Sequence, residues 1–150
     1  MKYQQEIQKF MEGVPKEQKA AMEFLLLNMP DKDLTILSSD FLLSNHSLAF
    51  QARKVFPWAM HIPEELFLNY VLPYANLDEK RDPWRKEFFE LCQPIVKDCK
   101  TPSEAVQKLN NELFKKFHVK YAPQKRPPNL SPKESIAQGT ASCTGLSIML

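Results

Sequence analysis

The sequence predicts a mainly α-helical protein, on the evidence of its glycine content and the spacing of its apolar residues. Only three glycines occur, Gly13, Gly139 and Gly145, so the long stretch between the first two lacks the residue that most easily adopts a positive φ. Tight two-residue hairpins between strands depend on that freedom, which disfavours a sheet-based fold. The apolar residues also recur every three to four positions over long stretches, the period of a helix.

Composition and charge are those of an ordinary folded domain. The 150 residues are 43% hydrophobic and 25% charged, which is enough to bury a core. The 20 basic and 18 acidic residues are spread along the chain, so we expect no nucleic-acid partner. No apolar run approaches the roughly 18 residues of a membrane span, so none is expected. The first residues lack a signal-peptide core, but export remains open.

The first half of the chain is expected to form four helices separated by prolines. Pro15 suits a first helical turn, and Ser39 or Asp40 is a good N-cap for the third helix. Prolines 30, 57 and 73 mark where the last three of these helices stop. The expected helices are 4–11, 15–27, 39–55 and 63–73. Their expected buried residues include Ala21, Phe24, Leu25 and Leu27 in the second, and Leu66, Phe67, Tyr70 and Val71 in the fourth.

The second half of the chain is expected to add two long helices and then change character. Asp82 and Pro83 predict a capped helix start, and Thr101-Pro102-Ser103-Glu104 matches a capping box. The mixed charge run 78–82 is expected to be a solvated loop. Residues 119–121 are expected to be extended, followed by a proline-rich linker and a helical turn at 131–134. The expected buried residues are Trp84, Phe88, Leu91, Cys92 and Ile95, then Val106, Leu109, Leu113 and Phe117.

Cys143 lies in the small-residue stretch Gly139-Thr140-Ala141-Ser142-Cys143-Thr144-Gly145, just before an apolar segment that we expect to begin a buried helix. The start of a helix presents unpaired N–H groups and a positive dipole, which stabilise a thiolate and a developing oxyanion. Ser142 or Thr140 is expected to cap the helix, and Gly139 and Gly145 to let a substrate backbone approach. Free cysteines are also commonly inert core residues, so a nucleophile and a structural cysteine both remain open.

Metal and cofactor sites are not expected. Cys92 and Cys99 are seven positions apart, which suits neither a zinc knuckle nor a redox pair, and Cys92 is expected to be a core residue. His46 and His61 are fifteen positions apart, and neither has a second ligand one helical turn away. Three cysteines cannot all pair with one another, so at least one thiol is free or pairs between chains.

From about residue 64 onward the chain resembles the transglutaminase-like superfamily, and bacterial members in particular. The resemblance rests on a helix that carries Glu104-Ala105, Leu109, Phe117 and Tyr121, then a loop, then the glycine-containing stretch that leads to Cys143. Two earlier segments are similar to the helical region that precedes the core in bacterial members. These segments are Leu72-Pro73-Tyr74 and Asp82-Pro83-Trp84-Arg85.

The resemblance implies a papain-like Cys-His-Asp triad in which Cys143 attacks an amide carbonyl of a peptide or protein. Water or an amine then resolves the acyl-enzyme, and the resemblance to bacterial relatives favours hydrolysis. Gln138, Ser142 and Thr144 are the expected oxyanion or supporting residues. The triad's His and Asp are expected after the cysteine, but residues 144–150 contain neither, so we expect this chain alone to be inactive. The resemblance also leaves an exported or periplasmic parent protein open.

The same resemblance divides the chain at residue 100. Residues 1–100 are expected to form a helical N-terminal domain, and 101–150 the start of a truncated transglutaminase-like α+β core. The sequence stops in an apolar segment without a cap, which indicates a fragment of a longer protein. Exposure of Leu146, Ile148 and Leu150 by such a cut would favour self-association. The alternative to an enzyme is a non-catalytic helical module that binds a protein or glycan, with a structural Cys143.

Overall fold

The computed structural model describes residues 2–150 and is mainly α-helical, as the sequence predicts. Two short strands, β1 (Lys120–Tyr121) and β2 (Thr140–Ala141), pair in parallel with Lys120 opposite Thr140. The helices are α1 Lys2–Gly13, α2 Lys19–Asn28, α3 Asp31–Ile36, α4 Ser39–Val55, α5 Glu64–Leu66, α6 Arg85–Val96, α7 Pro102–Lys116, α8 Pro132–Gln138 and α9 Cys143–Met149. Across residues 2–150, no helix has both the length and the apolar character needed to cross a bilayer.

Capping side chains set several helix starts, not always where the sequence predicts. Ser38, one residue before the expected cap, accepts a hydrogen bond from the N–H of Phe41 and begins α4. Thr101 caps α7 as expected, but the Glu104 carboxylate accepts from the N–H of Lys100, so the predicted capping box is only half formed. The complete capping box belongs to α8, where Ser131 and Glu134 satisfy each other's backbone N–H groups.

The expected cap at Asp82 is wrong. Helix α6 begins at Arg85 without a side-chain cap, and the Asp82 carboxylate is buried, where it accepts a hydrogen bond from the Ser131 hydroxyl at 2.5 Å. Asp82 therefore joins the segment before α6 to the start of α8, a contact across 49 positions that local patterns cannot reveal.

Some residues that were expected to be buried are exposed, because the local helix geometry turns them outward. Leu27 is 85% exposed because it lies two positions after the buried Leu25, which places it about 200° further around the helix. After α5 the chain forms a π-helical turn, Phe67–Val71, in which the N–H of Leu72 bonds to the carbonyl of Phe67. The inward positions there are five apart, so Phe67 and Leu72 are buried. The other exposed residues that were expected to be buried are Leu66, Tyr70, Leu91 and Val106.

Among the residues that the structure describes, three hydrophobic clusters form the core. The first lies among α1, α2, α4 and the π-helical turn, and contains Phe10, Met22, Leu42, Phe67 and Leu72. The second joins α6 and α7 to both strand regions and α9, and contains Phe88, Leu113, Phe117, Val119, Ala141 and Met149. The third contains Phe56, Ala59, Val96, Cys99 and Ala105. The second cluster anchors the segment that carries Cys143, and the last two clusters combine residues from both sides of position 100.

A buried polar network fastens the charged segment before α6 to α3. The Asp33 side chain is fully buried and accepts hydrogen bonds from the Tyr74 hydroxyl at 2.8 Å and from Nε of Arg81 at 2.9 Å. Glu79 is also buried, with its carboxylate on the backbone N–H groups of Asn76 and Leu77. The expectation of a solvated loop at 78–82 is therefore wrong for Glu79, Arg81 and Asp82.

Candidate active site

Cys143 is exposed and is the first residue of α9, at the junction that the sequence predicts. The other two cysteines lie in different surroundings, although all three thiols are free. Cys99 is only 2% exposed and belongs to the third cluster. Cys92 is half-buried against the second cluster, as expected of a core residue, and burial raises the pKa of its thiol to about 11. The exposed thiol is thus the one at a helix start.

Ser142 holds the start of α9 in place. Its hydroxyl oxygen accepts a hydrogen bond from the N–H of Gly145 at 3.2 Å, the capping role expected for this residue. The same hydroxyl donates to the carbonyl oxygen of Pro128 at 2.6 Å, and Ser142 itself is 3% exposed. The proline-rich linker and the helix start are therefore joined beside Cys143. The sequence could not reveal the role of Pro128, because every residue has a backbone carbonyl and the residue type does not show which one will accept a hydrogen bond.

Gly145 serves packing within the protein, and the expectation that it admits a substrate backbone is wrong. It is buried, and a Cβ built on it would lie 3.0 Å from the Cβ of Ala141 and 3.5 Å from Oγ of Ser135. Only a residue without a side chain lets α9 approach β2 and α8 so closely. Gly139 has a different task, because its φ of 64° ends α8 in the left-handed conformation and turns the chain into β2.

The two-stranded ladder fixes where α9 begins. The N–H of Lys120 donates to the carbonyl of Gly139 at 3.0 Å, and the N–H of Ala122 donates to the carbonyl of Ala141 at 2.8 Å. These bonds hold the chain extended up to Ser142, after which it turns into the helix. Cys143 consequently emerges at the C-terminal edge of the ladder, with its backbone position set by hydrogen bonds and its side chain in solvent.

The start of α9 has two backbone N–H groups that precede its first helical hydrogen bond. In any α-helix the first N–H groups have no acceptor within the helix. Here the N–H of Gly145 is taken by Oγ of Ser142, and the N–H of Leu146 by the Ser142 carbonyl. The N–H groups of Cys143 and Thr144 precede the first intrahelical bond. When the Cys143 sulfur adds to a carbonyl, these two N–H groups are the expected donors to the resulting oxyanion.

The other two expected supporting residues occupy different positions. Thr144 is the second residue of α9 and is half-buried. Gln138 is exposed at the last position of α8, and the whole of β2 lies between it and Cys143 along the chain. Thr144 thus shares the helix start with the thiol, whereas Gln138 lies at the opposite end of the strand.

The three histidines lie outside α9 and its flanking strand. His46 is buried in α4 at 1% exposure, and His61 is exposed between α4 and α5. His118 precedes β1, at the opposite end of the two-stranded ladder from Cys143. Within residues 2–150 there is also no group of three or more His, Cys, Asp or Glu side chains able to hold a metal ion.

Comparison of the chain with protein-family models, with curated proteins and with solved structures gave no match in any of the three. The resemblance to the transglutaminase-like superfamily therefore stays a prediction from the residues quoted above. The fold itself contributes one observation that needs no relative. The exposed thiol of Cys143 lies at the first residue of a helix, whose start is held by a serine cap and a parallel strand pair.

Proposed function

We propose that this chain supplies the nucleophile of a transglutaminase-like cysteine enzyme that attacks amide carbonyls of peptides or proteins. The observation that carries the proposal is the exposed position of Cys143 at the first residue of α9. A cysteine retained only for packing is expected to be buried, as Cys99 is. Exposure at a helix start supports the nucleophile that the sequence resemblance implies.

The proposed chemistry is acyl transfer through a thioester. The Cys143 thiolate adds to the carbonyl carbon, and the carbonyl oxygen takes the negative charge beside the N–H groups of Cys143 and Thr144. Collapse of this intermediate breaks the C–N bond, and the leaving amine takes up a proton. Water then adds to the thioester, releasing the acid and restoring the thiol.

Proton transfer is the step that these residues do not supply. Both the leaving amine and the attacking water need a general acid and base within hydrogen-bond reach. The resemblance assigns that role to a His oriented by an Asp after the cysteine, and residues 144–150 contain neither. The proposal therefore expects no turnover of amides by residues 1–150 alone.

Competitive labelling against a matched control thiol tests the proposal. Asn110→Cys adds a second exposed thiol in the middle of α7, far from any helix start. At a low dose of iodoacetamide, peptide mass spectrometry should show Cys143 reacting about tenfold faster than the introduced thiol, because a helix start is a position typical of reactive cysteines. Ser142→Ala, which removes the cap, should shrink this advantage. Equal rates for the two exposed thiols would argue for an inert surface cysteine.

One observation favours a binding role, although for a small molecule and not for the protein or glycan of the alternative stated above. An apolar cavity of about 470 Å³ lies between α4, α6, α7 and the end of α9, and Cys143 is not among the residues that line it. A cavity of this size is typical of sites for small molecules. Because the cavity and the thiol are separate features, a binding role can coexist with the proposed nucleophile.

A further inference from the structure

The cavity is lined mainly by hydrocarbon and aromatic surface, with a polar minority that includes Tyr70, Asn76, Arg85 and Ser147. Its wall includes Phe56, Trp58, Trp84, Phe88, Leu113 and Ile148, which come from four separate parts of the fold. Its volume of about 470 Å³ lies within the roughly 300–1,000 Å³ that small-molecule sites occupy. Burial of a ligand's apolar part here would be favourable by about 25 cal/mol for each Å² removed from water.

Arg85 is the charged side chain in this wall, and it has no carboxylate partner. Its Nε donates to Oδ1 of Asn45 at 2.7 Å, and its Nη2 donates to the carbonyl oxygens of Val71 at 2.7 Å and Pro73 at 2.8 Å. The ion pairs within residues 2–150 do not include Arg85, and its Nη1 is left without an acceptor there. Three neutral acceptors thus hold the guanidinium in place without neutralising it.

The charge of Arg85 is poorly compensated by its surroundings. Burial lowers the pKa of Arg85 to about 10, so it remains a cation at neutral pH but at a cost in solvation. The face of Trp84, 4.8 Å from the guanidinium carbon, is a further neutral contact. A carboxylate is the group that best matches a guanidinium with a free N–H edge, because the two can form charge-assisted hydrogen bonds.

Several other polar groups of the wall are already used within the protein, and the Asn76 amide N–H donates to the Ile148 carbonyl at 3.4 Å. The indole N–H of Trp58 donates to the Val96 carbonyl at 3.3 Å, and that of Trp84 to the Tyr74 carbonyl at 3.1 Å. The hydroxyl of Ser147 donates to the Cys143 carbonyl at 3.0 Å. A ligand therefore meets mainly hydrocarbon, a few neutral polar groups and the single cation of Arg85, which suits one negative charge and disfavours a polyanion such as a nucleotide.

We propose that this cavity binds a small apolar monocarboxylate, such as a fatty or aryl acid, with its hydrocarbon part between α4, α6 and α7 and its carboxylate on Arg85. The assignment follows from charge complementarity. A neutral hydrocarbon leaves the guanidinium unpaired, and an alkylamine adds a second cation beside it. The site is separate from Cys143 and does not depend on the function proposed for that residue.

The wall contains its own reporter, because Cys92 lines the cavity whereas Cys143 does not. Octanoate at saturation should slow the alkylation of Cys92 about fivefold or more and leave the alkylation of Cys143 unchanged in the same sample. Calorimetry should show octanoate binding at least about tenfold more tightly than 1-octanol or octylamine, the matched neutral and cationic chains. Equal affinity for octanoate and 1-octanol would overturn the proposal, as would an unprotected Cys92.

Two variants separate the cavity from the charge. Ala52→Phe adds an aromatic ring to the wall at a half-buried position of α4 and leaves Arg85 in place. It should abolish the octanoate protection of Cys92. Arg85→Lys keeps the cation but loses the planar fork, and should weaken octanoate binding more than 1-octanol binding. Circular dichroism establishes that each variant is folded. If folded Ala52→Phe binds octanoate as the unmodified chain does, the ligand lies elsewhere and the proposal fails.

A second copy of the chain is the competing occupant of the cavity. Of the three residues expected to form an exposed apolar end, Ile148 is 8% exposed and Leu150 is 48% exposed, and Leu146 packs against the second cluster. Sedimentation measurements over a range of concentrations should give a monomer with and without octanoate. Protection of Cys92 that rises with protein concentration in the absence of octanoate would assign the cavity to self-association instead.

Discussion

Acidification should destabilise the fold through His46. The imidazole is 1% exposed, lies edge-on to Phe10 with ring centroids 5.9 Å apart, and packs against Phe50 at 4.9 Å. Its Nε2 has no hydrogen-bond partner within residues 2–150. Because no group there stabilises the imidazolium, burial lowers the pKa of His46 from 6.5 to about 4. The folded state therefore holds this ring neutral while the unfolded chain takes up a proton.

The size of the effect follows from the two pKa values. A group whose pKa falls on folding contributes stability above its unfolded pKa and loses it as the pH drops through the folded value. At about 1.4 kcal/mol for each pKa unit, the shift from 6.5 to about 4 corresponds to about 3 kcal/mol in total. About 2 kcal/mol of this should be lost between roughly pH 7.5 and pH 5, before His46 protonates in the folded state.

Urea unfolding followed by circular dichroism measures this loss. His46→Leu keeps an apolar residue of similar size and should remove about 2 kcal/mol of the stability change between pH 7.5 and pH 5. At pH 7.5 it should be neutral or stabilising by about 1 kcal/mol, because a buried nitrogen without a partner disappears. His61→Gln, at an exposed position, is the control and should leave the pH dependence unchanged. If His46→Leu loses as much stability on acidification as the unmodified chain, the reasoning about His46 is refuted.

Two further predictions concern the packing around α9 and the network behind it. Gly145→Ala should lower the free energy of unfolding by about 1 kcal/mol although alanine favours helices, because its Cβ would crowd the Cβ of Ala141 at 3.0 Å. Ala141→Gly should partly rescue it in a double-mutant cycle, and strict additivity would contradict the crowding. Tyr74→Phe should cost about 1–2 kcal/mol, because the Asp33 carboxylate loses the 2.8 Å hydrogen bond. Asp33→Asn should cost more, because Arg81 loses a buried charge partner, and the reverse order in urea unfolding would contradict this account of the network.

The features that could be predicted from the sequence are those with local causes. The scarcity of glycine and the helical spacing predict the mainly α-helical fold, and prolines mark most helix ends within one or two residues. The placement of Cys143 at a helix start was also predictable. A small-residue stretch followed by an apolar run indicates the start of a buried helix, and Ser142 is a good capping residue for it.

The features that could not be predicted depend on contacts between distant segments. The mixed charge run 78–82 has the composition of a solvated loop, yet Arg81 is paired with Asp33 across 48 positions. The π-helical turn shifts which residues face inward after Phe67, and no residue type announces such a turn. Gly145 was assigned to substrate approach, since sequence alone does not show that Ala141 fills the space above it.

The short helix α3 was missed because Asp31–Ile36 is brief and lies between two stronger helical patterns. Its expected neighbours were confirmed on either side, although α2 begins at Lys19, four residues after the predicted start, and a 3-10 turn spans Lys16–Gln18. The cavity beside Arg85 could not be predicted either. It needs α4, α6, α7 and α9 to be assembled before a guanidinium without a carboxylate partner can be recognised.

Acyl transfer to Cys143 tests the proposed nucleophile most directly. Acylation by p-nitrophenyl acetate passes through an oxyanion, whereas alkylation by iodoacetamide does not, so their ratio isolates the contribution of the backbone donors. Measured by mass spectrometry on the same protein carrying Asn110→Cys, this ratio should be at least about tenfold higher at Cys143 than at the introduced thiol, because oxyanion donors commonly change rates by larger factors. A ratio no higher at Cys143 would show that its helix start offers nothing to an acyl intermediate, and would contradict the enzyme proposal.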